Sequence, residues 1–362
     1  MTTLPANVSQ PQRLALLQHG GFSSRYGKTG ISLLRYRGAE VVAVIDRETA
    51  GRSLREVSQL PDVPDLTILG SVKEALATRP TALAIGISPS GGRAKDEWWP
   101  ELRLAAHSGV SLWNGCHTPL AADPEIAAAV RTGVYVWDMR REPPGLGPGS
   151  GAARTLPCRR VLFVGTDMNI GKMTAALEFD RAARARGLRS SFVGTGQTGM
   201  MISGAGVCLD AVRVDFASGA VEAEVMRHGR QADVVWVEGQ GSLLNPASTA
   251  TLPLLRGSQP THLILVHKAG LKHLQSLPHI GIPSLRDVVP FYEAMASACG
   301  VFAPAPVVGI ALNTWGLDDA AARAAIAAAE ETTALPVTDA VRYGTEALLD
   351  AVLASESQAA LS

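Results

Sequence analysis

Neither sign of charge is in excess: the 362-residue chain sets 33 Lys and Arg against 33 Asp and Glu. Such a balance gives no bulk pull toward nucleic acid or an anionic membrane, so neither is an expected partner and a small-molecule substrate is. Cysteine is scarce too. Cys116, Cys158, Cys208 and Cys299 lie scattered with no CxxC or metal-ligand spacing, which argues against a disulfide framework and a structural zinc site. No stretch offers the roughly 18 uninterrupted apolar residues of a membrane helix, and the polar start lacks a signal-segment core, so a cytoplasmic protein is expected. Aromatic residues make up 5% of the chain. Trp98, Trp99 and Trp113 have no basic stripe beside them and read as packing residues rather than base-stacking platforms.

What is present centres on Val161-Leu162-Phe163-Val164-Gly165-Thr166-Asp167-Met168-Asn169-Ile170-Gly171-Lys172-Met173-Thr174. An uncharged apolar run reads as a buried parallel strand, and the glycine-bracketed turn after it leads into an alanine-rich helical pattern. That is the layout of a phosphate-binding loop. Small residues let backbone N–H groups converge on an anion, the helix N-terminus favours negative charge, and the lysine reaches the outer phosphates. The gap from Gly165 to Gly171 is one residue longer than the common form, and Met173 stands where a Mg²⁺-binding Ser or Thr is expected. Thr174 follows one place late, so a metal would rely on Thr174 or on a group from elsewhere.

The rest of the chain alternates strands with helices, predicting an α/β protein with mostly parallel sheets. A first strand over Arg13–Gln18 runs into Gly27-Lys28-Thr29, a second lysine-bearing turn that reads either as an anion site or as the first turn of a Rossmann-type half. Asp46, ending the next strand, lies where such a half places its ribose-binding acid. Strands are also expected over Leu66–Gly70, Ala82–Ile87 and Gly133–Asp138, with a glycine-rich loop at Ser88–Arg93 on the ligand side. Cys116 and His117 read as structural. The Pro- and Gly-rich stretch from Arg140 to Gly151 reads as a linker. The expected organisation is a Rossmann-like domain over 1–140, a linker over 141–157 and a phosphate-loop domain over 158–362.

In the second half, strand Ser190–Val193 leads to Gly194-Thr195-Gly196-Gln197-Thr198-Gly199, whose donors and small residues suit a second ligand wall. Asp210 and Asp215 bracket a short alternating segment that either turns toward the site or is solvated. The strand before Glu238-Gly239-Gln240-Gly241-Ser242 ends in an acid, as phosphate-loop proteins do to bring a carboxylate to a metal or to the reacting group. Glu238 is the leading metal or acid/base candidate. His267, followed by Lys268, ends the next strand and is a second base candidate, with a core role equally open. A proline-rich passage from Pro278 to Pro290 is expected as an ordered excursion over the site, and Asn313-Thr314 closes a further strand, with Asn313 placed to hydrogen-bond a base or an acyl amide.

On Gly165 to Lys172 and the Glu238-Gly239 and Asn313 strand ends, the second half resembles the dethiobiotin synthetase type of phosphate-loop fold. That family carries a catalytic lysine after its second strand. Gly194–Gly199 has none, which points away from its carboxylation chemistry. Over nearly the whole length the chain resembles a bacterial family first catalogued as a domain of unknown function and including D-glutamate N-acetyltransferases. The residues carrying this are Gly27-Lys28-Thr29, Gly91-Gly92-Arg93, Gly165-Thr166-Asp167 with Gly171-Lys172-Met173-Thr174, Thr195-Gly196-Gln197-Thr198-Gly199, Glu238-Gly239-Gln240-Gly241-Ser242 and Asn313-Thr314.

The resemblance implies transfer of an acetyl group from acetyl-CoA to the amino group of an acidic amino acid, in a homo-oligomer. Physically, the phosphates of CoA suit a phosphate loop without a metal-binding hydroxyl. The implied cofactor-binding set is Gly165, Thr166, Asp167, Asn169, Gly171, Lys172, Met173, Thr174, Thr195, Gly196, Thr198, Gly199, Gly239, Gly241 and Asn313, with Gly27, Lys28 and Thr29 as a second group. Glu238 or His267 is the expected base, and Gln197 or the Thr195–Gly199 amides the oxyanion donors. Two other readings stay open: an ATP-dependent ligase or kinase, with Mg-ATP held by Lys172, Thr174 and Glu238, and a nucleotide- or CoA-sensing binding protein.

Overall fold

The computed structural model describes residues 8, 11–131 and 133–354. Apart from Val8, the amino-terminal residues on which the absence of a signal core was read lie outside them. The chain forms two compact units, one reaching to Pro144 and including Met200–Ala211, the other made of Gly145–Gly199 and the chain from Val212 onward.

The first unit is a five-stranded sheet of β1 (Leu14–Leu17), β2 (Val41–Ile45), β3 (Ala82–Ile85), β4 (Ser111–Asn114) and β5 (Val136–Asp138), in the order β2-β1-β3-β4-β5. Every pairing is parallel. All four residues of β1 and of β3 are buried, as strands covered on both faces by helices must be. Leu66–Gly70 does not become the expected strand. It bonds to Val44 and Asp46 on one side and to Arg52 and Leu54 on the other, through isolated bridges rather than one ladder. Its hydrogen bonds are divided between two short neighbours, the end of β2 and the 51–54 segment, so no single ladder extends along it. The excursion Met200–Ala211 had no sequence signal as part of this unit. Met200, Met201 and Cys208 join its core, and Arg37 Nη1 donates to the Met201 carbonyl at 2.9 Å.

The second unit carries a six-stranded sheet in the order β13-β12-β9-β6-β8-β7. Its strands are β6 (Arg159–Gly165), β7 (Ser190–Val193), β8 (Val234–Val237), β9 (His262–Lys268), β12 (Val307–Asn313) and β13 (Val337–Thr338), again all parallel. From β6 the chain winds to one side through β7 and β8, then to the other through β9, β12 and β13. The carboxyl end of β6 is therefore the switch point, where open α/β sheets bind their ligands. Phe163 on β6, Phe179 on the helix Lys172–Ala185 and Trp236 on β8 pack with ring centroids 5.2 to 6.2 Å apart and hold strand and helix together.

The passage expected as an excursion resolves into an antiparallel hairpin, β10 (His273–Leu274) with β11 (Leu277–Gly281), and the helix Leu285–Ser297, which accommodates Pro290 inside it. The second part of the linker is docked rather than free. Glu222 accepts from Ser150 N at 3.0 Å, Ser150 Oγ at 2.7 Å and Ala152 N at 2.7 Å.

Candidate phosphate-binding site

Three carbonyls of the loop after β6 are held by side chains. Tyr292 Oη donates to the Gly165 carbonyl at 2.7 Å, Lys172 Nζ to the Asp167 carbonyl at 2.6 Å, and Asn313 Nδ2 to the Ile170 carbonyl at 3.0 Å. These bonds fix the orientation of three loop carbonyls. Gly171, at φ +110, opens the helix Lys172–Ala185 from a backbone conformation that L side chains rarely adopt. Asn169 takes φ +56, which asparagine tolerates better than most residues. Met173 and Thr174 are half-buried in the first helical turn.

Asp167 braces the loop. Its carboxylate accepts from Met168 N at 2.7 Å, Asn245 Nδ2 at 2.8 Å and Gln275 N at 2.8 Å. Burial pushes this carboxyl up, but the three donors outweigh it and hold it below the ordinary aspartate value. Gln275, in the turn of the β10–β11 hairpin, also donates from Nε2 to the Met168 carbonyl at 3.1 Å. Asn245, Gln275 and Tyr292 have no sequence signal for this role, because each reaches the loop across 78 to 127 residues of chain.

Glu238 is 3% exposed at the carboxyl end of β8. Its Oε2 accepts from Thr195 N at 2.8 Å and Gly196 N at 3.3 Å, and its Oε1 from Gln240 Nε2 at 3.1 Å. Two of the amides expected as oxyanion donors are therefore engaged by the carboxylate. Gln197 opens the helix Gln197–Ser203, so the predicted ligand wall is loop only as far as Gly196, with Thr198 and Gly199 buried in the helix's first turn. Gly239 and Gly241 are small for reasons internal to the protein. A Cβ on Gly239 would lie 1.7 Å from the Phe163 carbonyl oxygen and 2.8 Å from Lys172 Cδ, and one on Gly241 would meet Ser248 Oγ.

His267 lies beside the loop, with Nδ1 2.8 Å from Thr166 Oγ1. Burial pushes its pKa down to about 4. The lowered pKa leaves the ring neutral at pH 7. Among the described residues no group of three or more His, Cys, Asp or Glu side chains gathers to hold a metal. Asn313 is committed in two directions, since Oδ1 accepts from Trp315 N at 2.9 Å while Nδ2 holds the loop.

The second lysine-bearing turn, in the first unit, is closed by protein. Lys28 opens the helix Lys28–Arg37 and is exposed, while Thr29 is buried with its Oγ1 3.2 Å from Ser88 Oγ. The Gln18 side chain fills the crevice at the ends of β1 and β3. Its Nε2 donates to the Gly27 carbonyl at 2.9 Å, and a Cβ on Gly30 or Gly86 would come within 2.0 or 2.1 Å of its Oε1. Asp46, fully buried, accepts from Gly20 N at 2.8 Å and Thr49 Oγ1 at 2.5 Å instead of facing a ribose. Nor does Asp210 face a site, being ion-paired with Arg140. Burial pushes the Cys116 thiol up to about 11, in keeping with a structural residue.

Residues 147–349 match a family described as a domain of unknown function, DUF1611_C, a P-loop domain, and residues 47–142 match its companion DUF1611_N, a Rossmann-like domain. The chain belongs to the DUF1611 family. A crystal structure of a DUF1611 family protein from Anabaena variabilis is 56% identical, with a TM-score of 0.90, over 95% of this chain and all of that one. Two curated relatives carry the name D-glutamate N-acetyltransferase. The protein from Tritonibacter scottomollicae is 37% identical over 78% of this chain and 84% of its own length. That from a Pseudoalteromonas species is 30% identical over 77% and 83%. Among the described residues of this DUF1611 chain, no helix is long and apolar enough to cross a membrane.

Proposed function

We propose that this protein is an N-acetyltransferase that moves the acetyl group of acetyl-CoA to the amino group of an acidic amino acid, with D-glutamate as the first candidate. The observation that carries the proposal is the 37% identity to a D-glutamate N-acetyltransferase over 78% of the chain. The loop geometry is compatible with it. A cradle led by Lys172, with Met173 where a Mg²⁺-binding hydroxyl would stand, suits the diphosphate or 3′-phosphate of CoA without a metal.

In this reading the acceptor nitrogen attacks the thioester carbonyl carbon, the C–S bond breaks, and CoA leaves as the thiol after proton transfer. Glu238 is the proposed proton acceptor, its buried carboxylate also serving to attract the substrate ammonium. With the Thr195 and Gly196 amides engaged, Gln197 is the proposed oxyanion donor.

The test is release of free thiol from acetyl-CoA in the presence of D- or L-glutamate or aspartate, with and without Mg-ATP. Release with an acidic amino acid and no ATP, abolished in Lys172→Ala and reduced at least a hundredfold in Glu238→Gln, supports the proposal. Formation of ADP without thiol release would replace it by the ligase or kinase reading.

A further inference from the structure

Among the six tryptophans of the chain, Trp98, Trp113, Trp137 and Trp236 are buried and Trp99 is half-buried, whereas Trp315 is 79% exposed. A single exposed apolar side chain needs no explanation by itself. The position of this one does. Trp315 follows β12 by two residues, at the carboxyl edge of the sheet that carries the phosphate loop, and its Cα lies no more than about 7 Å from that of Asn313.

The turn that presents Trp315 is braced from several sides. Its own N–H donates to Asn313 Oδ1 at 2.9 Å, Thr314 donates to Asp339 from N at 2.9 Å and from Oγ1 at 2.6 Å, and Arg342 Nη2 donates to the Leu317 carbonyl at 2.7 Å. An exposed indole on a fixed turn has already lost much of the backbone freedom that binding would otherwise cost. Asn313, meanwhile, donates to the Ile170 carbonyl and accepts from the Trp315 N–H, tying this turn to the phosphate loop. What the edge of the sheet offers a planar ligand is the face of the indole.

We infer that Trp315 stacks on the adenine ring of the nucleotide whose phosphates occupy the Gly165–Gly171 loop. The adenine belongs to CoA or to a free adenine nucleotide, and the two share the same ring and diphosphate. The inference rests on the loop being a phosphate clamp, not on acetyl transfer.

The test uses the full-length protein with CoA, ADP and inorganic pyrophosphate, following affinity by calorimetry and Trp315 by acrylamide quenching of intrinsic fluorescence. Saturating CoA or ADP is expected to shield the exposed emission, and pyrophosphate to leave it open. Stacking on an aromatic ring contributes about 1–3 kcal/mol per base, so Trp315→Ala should weaken the adenine ligands about tenfold or more. Pyrophosphate affinity and the thermal midpoint should not change. Unaltered CoA and ADP affinities in Trp315→Ala, or equal shielding by pyrophosphate, would overturn the stacking. Shielding by ADP with no CoA binding would leave it standing while removing the acetyl donor, and failure of all three ligands to bind would overturn the phosphate clamp and the stacking together.

Discussion

At the carboxyl edge of the first sheet, a lysine-bearing glycine turn surrounds a side chain of the protein itself, Gln18, and Asp46 caps the neighbouring backbone. At the corresponding edge of the second sheet, the similar turn surrounds its own lysine, whose Nζ donates to the Asp167 carbonyl at 2.6 Å. Its carbonyls are held by Tyr292, Lys172 and Asn313, and the lysine is buried within the loop rather than exposed beside it. The two turns read alike because both need glycine for close approach. In one the approaching group is Gln18, and in the other it is the Lys172 side chain, the group proposed to hold a phosphate.

The contrast breaks most severely if the strand behind the second loop is disturbed. Gly239→Ala places a Cβ 1.7 Å from the Phe163 carbonyl oxygen, against backbone that cannot move aside. The expected loss is on the order of 3 kcal/mol, read as a fall in the thermal midpoint together with loss of CoA binding.

A smaller effect separates the two edges by pH. In the first unit Glu101 accepts from His19 Nε2 at 3.1 Å, from Val72 N at 2.8 Å and from Arg47. Burial pushes its pKa up, but these donors outweigh it and bring it down from 4.5 to about 2. A folded pKa below the unfolded one means that its stabilisation is complete above pH 4.5 and is lost as pH falls toward 2. Glu101→Gln should therefore be less stable than wild type at pH 7, with the difference shrinking over that window in thermal melts. A constant difference would remove Glu101 from the acid response.

The smallest effect sharpens the reading of the first turn as a packed crevice. Gln18→Met keeps the length of the plug while removing one hydrogen bond and the buried Oε1, which has no hydrogen-bond partner among the described residues. Stability should change by no more than about 1 kcal/mol, and CoA affinity should not change. Altered CoA affinity would show that this turn participates in the site.

Much of the second unit was legible because local pattern and tertiary role agree there. An apolar run, a glycine turn, a lysine and an alanine-rich helix determine the course from β6 through Lys172–Ala185, and the acid at the end of β8 is indeed buried beside Thr195 and Gly196. What the sequence does not reveal is how each polar group is used. Asp167, Asp46 and Glu238 all stand at strand ends where ligand-binding acids stand, yet each is engaged by backbone amides brought in by the fold. The plugging of the first turn is equally invisible, since it depends on the contact of Gln18 with Gly27, Gly30 and Gly86, residues joined only once β1 and β3 are side by side. Leu66–Gly70 has the apolar content of a strand but lacks a continuous partner.

The most direct measurement is calorimetric titration of CoA into the wild-type protein, Lys172→Ala and Lys28→Ala. Loss of the buried lysine's charge-assisted hydrogen bonds should weaken binding roughly 10- to 100-fold, while loss of the exposed lysine should leave it unchanged. Equal weakening in both variants, or weakening in Lys28→Ala alone, would contradict the assignment of the second loop as the phosphate clamp.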